Sequence, residues 1–222
     1  MRVIAHRGCP DLYPENTVAA FRNASGRCDW VEFDVRRCGS GEPIVFHDET
    51  LDRLLGVDAR VDETSLAQIR ALRVDDSDER VPTLPEAFIS VPSDATVNVE
   101  LKTTGLVDAV AETADAVDNE TVVSSFSAAA LREMAASDLP LAPIVADADG
   151  WADTLTLAAE LGAEYVHPHY DVVLMDPERV AQAHDRGLEV NAWTLRSADP
   201  FDRLREVGVD GVFVDHPEYG GR

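Results

Sequence analysis

Lysine is almost missing from this 222-residue chain: Lys102 stands alone, and the other eighteen basic residues are arginine. Cysteine is scarce too, with Cys9, Cys28 and Cys38 as an odd set. Their spacing suits neither a zinc site nor a disulfide framework, so reduced thiols and a cytoplasmic location are expected. No apolar run approaches the roughly 18 residues of a membrane span, which argues against stable membrane insertion. Met1 and Arg2 lead straight into a strand-like run, without the apolar core of a secretion signal.

Positive charge is in short supply overall. Forty-two acidic residues face nineteen basic ones, a net charge of −23. A field of that sign repels nucleic acid, which is therefore excluded as a partner. An acidic, lysine-poor surface also suits concentrated salt, where like charges are screened within about 3 Å at 1 M. A halophilic protein is expected. In so lysine-poor a chain, the ammonium of Lys102 reads as a point charge kept for a particular anion.

What is present is a rhythm of short apolar runs: 3–5, 31–35, 44–46, 97–101, 121–124, 143–145, 165–166, 190–193 and 212–214. Helical periodicity fills most of the intervals, as in "NTVAAFRNA", "LVDAVAETADAV" and "WADTLTLAAELG". Gly162, Gly187 and Gly208 fall where helices end. Alternating strands and helices imply a mainly parallel sheet, and about eight units closing on themselves make a barrel. The expected fold is a single-domain, distorted β/α (TIM) barrel over residues 1–222. The link "RRCGSGEP" is too short for a parallel crossover, so 44–46 is expected to run antiparallel. Residues 49–85 are too long for an ordinary loop. They are expected to form a small cap insertion with one short helix near 64–72, the alternative being a solvated excursion.

The ionisable residues cluster at strand ends. His6 ends the first run. Glu32 and Asp34 lie two apart in "WVEFDV", hence on one strand face. His47 and Asp48 end "PIVFHD", and Glu100 and Lys102 close "VNVELK". The C-terminal ends of barrel strands converge on one mouth, where buried charge is costly unless paired or metal-bound. Three carboxylates together call for a hard divalent cation, Mg²⁺ or Ca²⁺. The alternative is an ion-pair lattice with Arg7, Arg36 or Lys102. Two imidazoles can share acid and base duties, and Arg7 offers a fork for an oxyanion. Together these groups suit phosphoryl chemistry.

In its order of motifs ("AHRGCPDLYPENTVAAF", "VEFDV", "PIVFHDETLDR", "VPTLPEAF", "VNVELK", "VVSSFS", "VNAWTL" and "GVDGVFVDHP") the chain resembles the glycerophosphodiester phosphodiesterases. The resemblance implies a phosphoric diester hydrolase that releases glycerol 3-phosphate and an alcohol from a small-molecule glycerophosphodiester, using one divalent cation. It implies His6 and His47 as the acid/base pair, Glu32, Asp34 and Glu100 as metal ligands, and Arg7 and Lys102 on the phosphate. Similar enzymes use the substrate's own glycerol hydroxyl as nucleophile and pass through a cyclic phosphate. Glu15 and Asn16 are expected beside the site, with Asn16 capping the helix that starts at Thr17. Trp193 is expected to wall the glycerol pocket, Ser125 and Phe126 to line the mouth, and His167 to reach the pocket. The alternatives are a lysophospholipase D-like phosphodiesterase and a non-catalytic phosphodiester-binding barrel. In this family the stretch after "HDETLDR" usually carries hydroxyl residues and glycines. Here it reads "LLGVDARV", which bears on leaving-group choice.

The charge balance carries its own test. Unfolding followed against KCl should show stability rising into the molar range, and equal stability in dilute buffer would contradict a halophilic surface.

Overall fold

All nine apolar runs become strands in the computed structural model, which describes residues 1–221. They are β1 (Arg2–Ala5), β2 (Trp30–Arg37), β3 (Pro43–Val45), β4 (Thr96–Leu101), β5 (Thr121–Ser125), β6 (Leu141–Val145), β7 (Tyr165–Pro168), β8 (Glu189–Leu195) and β9 (Gly211–Val214). Among the described residues, eight of these form a parallel barrel, closed where β1 pairs with both β9 and β2. The remaining strand, β3, hangs antiparallel on β2, with Val45 opposite Val35. The short "RRCGSGEP" link leaves it no other course.

The helices are α1 (Val18–Ala24), α2 (Asp52–Leu55), α3 (Leu66–Ile69), α4 (Leu84–Ser90), α5 (Val107–Asp115), α6 (Ala128–Met134), α7 (Trp151–Leu161), α8 (Tyr170–Met175), α9 (Glu178–His184) and α10 (Phe201–Val207). Gly162, Gly187 and Gly208 have φ of 62°, 76° and 87°, the left-handed turn expected beyond a helix end. Beyond residues 49–85, the helices α4 and α8 lie outside the periodicity reading. Thr83 and Glu86 form a capping box that starts α4, and the imidazole of His169 accepts from the amide of Asp171 to start α8.

Alternation along the strands divides the core in two. Val31, Phe33 and Val35 face outward under the helices. Phe33 sits between Phe21 of α1 and Phe88 of α4, at centroid distances of 5.3 and 5.4 Å. Inside the barrel, Ile4, Trp30, Val122, Ala142 and Phe213 form a smaller cluster. Arg2 stacks over Trp30, 4.7 Å from the ring centroid, and pairs with Glu189.

Residues 49–85 hold two short helices, α2 and α3, rather than one. Ser65 and Gln68 form the capping box of α3. The segment also has a core of its own: Leu51, Leu54, Val61, Ile69, Val74 and Val81 pack with Ile44 and Phe46. Those residues come from two helices and several turns, so no single period marks them in the sequence. No helix among the described residues is long and apolar enough to cross a membrane.

Truncating Phe33 to Ala should cost about 3–5 kcal/mol through lost burial and the cavity left behind. Ile89, 74% exposed on α4, should tolerate Ala within about 0.5 kcal/mol. Urea midpoints with unchanged slopes would check both.

Candidate active site

The barrel mouth is organised by the turn that follows β1. His6, Arg7 and Gly8 form a single 3₁₀ turn in which Arg7 and Gly8 take φ of 49° and 78°. A side chain at Gly8 would meet the Cβ of Ala20 at 2.6 Å, so only glycine lets the turn lie against α1. The turn aims the amide of Arg7 at Glu32 Oε2, 2.7 Å away.

Register then assembles the carboxylates. Asp34 of β2 is paired with Glu100 of β4, and Glu32 lies two residues earlier on the same face. One oxygen from each of Glu32, Asp34 and Glu100 lies within 4.8 Å of the others. Glu32 and Asp34 are fully buried. Lys102 Nζ stands 3.0 Å from Asp34 Oδ1 and also contacts Glu100, while Arg7 Nε lies 3.3 Å from Asp34 Oδ2.

These two cations do not satisfy the cluster. Burial, reinforced by Asp34 and Glu100, pushes the Glu32 carboxyl well above its ordinary value. Burial and Asp34 push Glu100 up to about 7 despite Lys102. Burial would raise Asp34 too, but Lys102, Arg7 and Asn16 outweigh it and hold that carboxyl down. Glu32 Oε1 is buried with no hydrogen-bond partner. Negative charge thus remains uncompensated after the ion-pair lattice has formed. An all-oxygen donor set with an orphaned oxygen fits a hard divalent cation.

Each mouth histidine rests on a carboxylate. Pairing of Ala5 with Val214 sets His6 beside Asp215, the residue that follows β9, and His6 Nδ1 lies 2.6 Å from Asp215 Oδ1. Arg196 Nε lies 3.2 Å from the other oxygen of Asp215. His47 reaches the mouth differently. The β2–β3 hairpin rises past the barrel rim and β3 descends, with the amide of Phe46 bonded to the carbonyl of Asp34. His47 Nδ1 then lies 2.6 Å from Asp48 Oδ1. Burial lowers the His47 pKa, with Asp34 opposing and Arg7 and Lys102 reinforcing.

One cavity, of about 100 Å³, is lined by His6, Arg7, Glu32, His47, Glu100 and Lys102, with Trp193, Phe126 and His167. Trp193 and Phe126 meet edge to face at 5.5 Å. His167 lies fully buried at its base, held neutral by burial with a pKa of about 3. Two sequence expectations need correction. Asn16 does not cap α1: with φ of 57° it turns inward, and its Nδ2 donates to Asp34 Oδ2 at 2.8 Å. Thr17 caps instead, accepting from the amide of Ala20. Ser125 does not line this cavity either, because it faces away and donates to the carbonyl of Leu101. Alternation puts its neighbour Ser124 on the cavity wall, accepting from Asn98 Nδ2 at 2.9 Å.

Three polar neighbours escaped the sequence reading. Asp215 ends a strand in "GVFVDHP", the same signal as His6, and becomes meaningful once β9 is seen to neighbour β1. Arg196 follows β8 in the same way. Arg53 has no such signal. It lies in α2, donates twice to Glu15 at 2.8 and 2.9 Å, and reaches Asp48 at 2.5 Å.

A closed β/α barrel with ionisable groups and a cavity at its C-terminal mouth is the architecture of a barrel enzyme. Comparison with known proteins narrows the class. The glycerophosphoryl diester phosphodiesterase family model matches residues 6–219. A glycerophosphodiester phosphodiesterase of Caldanaerobacter subterraneus is 30% identical over 97% of this chain and 94% of its own. An Oleispira antarctica phosphodiesterase, solved with the product sn-glycerol-3-phosphate, superposes at a TM-score of 0.91 and 28% identity, covering 100% of this chain and 95% of that one. A glycerophosphodiester phosphodiesterase from Thermotoga maritima superposes at 0.85 and 27%, covering 98% and 96%. The chain belongs to the glycerophosphoryl diester phosphodiesterase family and is a phosphoric diester hydrolase.

The raised carboxyls predict a pH signature. A carboxyl whose folded-state pKa exceeds its unfolded value holds more protons when folded. Its stabilising contribution is present below the unfolded value and lost as pH rises through the folded one. For Glu100 the window runs from about 4.3, the ordinary glutamate value, to about 7. In EDTA, Glu100→Gln should therefore gain in Tm relative to wild type across that window. Saturating Mg²⁺ or Ca²⁺ should abolish that gain. A difference in Tm that ignores both pH and cation would contradict the account.

Proposed function

We propose that this protein hydrolyses water-soluble glycerophosphodiesters to glycerol 3-phosphate and an alcohol, with one divalent cation and two acid/base histidines. One observation carries the reading: Glu32 and Glu100, clustered with the buried Asp34, share one cavity with two cationic side chains and two carboxylate-tethered histidines. The relative solved with sn-glycerol-3-phosphate supports the same product here.

Glu32, Asp34 and Glu100 would hold Mg²⁺ or Ca²⁺, which would supply Lewis-acid charge to the reacting phosphodiester. Arg7 and Lys102 bind the phosphate and offset charge that builds on its oxygens. One histidine removes the proton from the glycerol hydroxyl as its oxygen attacks phosphorus. The other gives a proton to the alcohol oxygen as the P–O bond to it breaks. Water then opens the cyclic phosphate with the two proton roles exchanged. In each imidazole the carboxylate at Nδ1 leaves Nε2 for the reacting oxygen: Asp215 for His6, Asp48 for His47. Trp193 walls the glycerol side, and Glu15, Asn16 and His167 support the groups that touch substrate. Ser124 takes the lining role expected of Ser125.

Residues 1–222 are read as one domain with 49–85 as a cap insertion. That insertion is short, which favours small head-group alcohols over bulky lipids. Cys9, Cys28 and Cys38 are buried and stand outside any disulfide, in keeping with a cytoplasmic setting.

Release of glycerol 3-phosphate from glycerophosphocholine tests the proposal. Turnover should vanish in EDTA and return with Mg²⁺ or Ca²⁺. His6→Ala and His47→Ala should each lower kcat by about 10²–10⁴-fold while leaving cation binding intact. Full turnover in EDTA, or near-normal turnover of either variant, would overturn it.

A further inference from the structure

The hydrogen bonds of Arg53 form one continuous chain between two parts of the mouth that are separate in sequence. From His47, Nδ1 meets Asp48 Oδ1 at 2.6 Å, and Asp48 Oδ2 accepts from Arg53 Nε at 2.5 Å. From there Arg53 Nη1 and Nη2 grip both oxygens of Glu15, at 2.9 and 2.8 Å. Glu15 Oε1 in turn accepts from Arg7 Nη1 at 2.9 Å. The guanidinium uses three separate N–H vectors on two carboxylates, a geometry an ammonium cannot reproduce. Arg53 is the part of the 49–85 insertion that joins this chain. Its own side chain is 45% exposed and lies outside the cavity lining.

We infer that Arg53 is a positioning residue that locks the His47 imidazole and the Arg7 guanidinium into one fixed arrangement. The inference rests on the proposed diesterase reading, in which His47 moves a proton and Arg7 holds the phosphate. Asp48 directly follows His47 in a bend, and Glu15 lies in the turn before α1, so both carboxylates stand outside helix and strand. Apart from the groups they orient, His47 and Arg7, the side-chain partner of both carboxylates is the Arg53 fork. Removing that fork leaves His47 with an unanchored partner and Arg7 with a mobile one. At metal sites, groups that orient the residues contacting the reacting centre matter by about 10–100-fold.

The test compares wild type, Arg53→Met, Arg53→Lys and Arg53→Ala in glycerophosphocholine hydrolysis with saturating cation. Wild-type turnover establishes the diesterase reading first, so an inactive wild type sinks that reading and not the role of Arg53. Given an active wild type, Arg53→Met should lose about 10–100-fold in kcat, with a smaller rise in KM. Arg53→Lys should stay impaired, since charge without the fork does not orient two carboxylates. Guanidinium at non-denaturing concentration should restore part of the turnover of Arg53→Ala. Arg70→Ala removes another guanidinium of the same insertion, one paired with Glu86, and should leave kcat unchanged. Wild-type kcat in Arg53→Met, full recovery in Arg53→Lys, or an equal loss in Arg70→Ala would each overturn the inference.

Discussion

Three carboxylates, two of them fully buried, crowd together at the end of a barrel and set the terms for everything around them. Backbone pairing forces Asp34 against Glu100, and strand alternation adds Glu32 on the same face. Like charges in a desolvated site repel strongly, so the fold tolerates the trio only with positive charge close by. Lys102 and Arg7 supply part of it, and the raised pKa values of Glu32 and Glu100 mark what is still wanting. The same all-oxygen donor set fits a hard divalent cation.

Around that centre the protein builds outward in carboxylate–cation layers. Asp215 stands between His6 and Arg196, Asp48 between His47 and Arg53, and Glu15 between Arg53 and Arg7. His6, His47 and Arg7 thus each rest on a carboxylate that is itself held by an arginine. The 49–85 segment takes part in this scheme. It has its own apolar core, which steadies α2, and α2 carries Arg53.

The barrel was legible because its signals are local. Period-two alternation in "WVEFDV" puts Glu32 and Asp34 on one face, and an eight-residue link denies β3 a parallel partner. Glu100 and Lys102 follow the same alternation. What stayed hidden depends on long-range or left-handed geometry. Asn16 reads as a helix cap until its positive φ turns it toward Asp34. Ser124 and Ser125 are equally plausible from sequence, and a shift of one residue reverses the face. Asp215 gains meaning only when the last strand closes on the first. Arg53 lies six residues beyond His47, at no helical or strand spacing, and becomes part of the site through tertiary contact alone.

Crystals soaked in Mn²⁺, a hard ion that accepts the same oxygen donors as Mg²⁺, would test the central claim most directly by anomalous scattering. The account predicts one strong peak bounded by the carboxyl groups of Glu32, Asp34 and Glu100, with the two histidines facing the same cavity. A map with no peak there, or with the ion held elsewhere while Lys102 and Arg7 fill the acidic cluster, would contradict it.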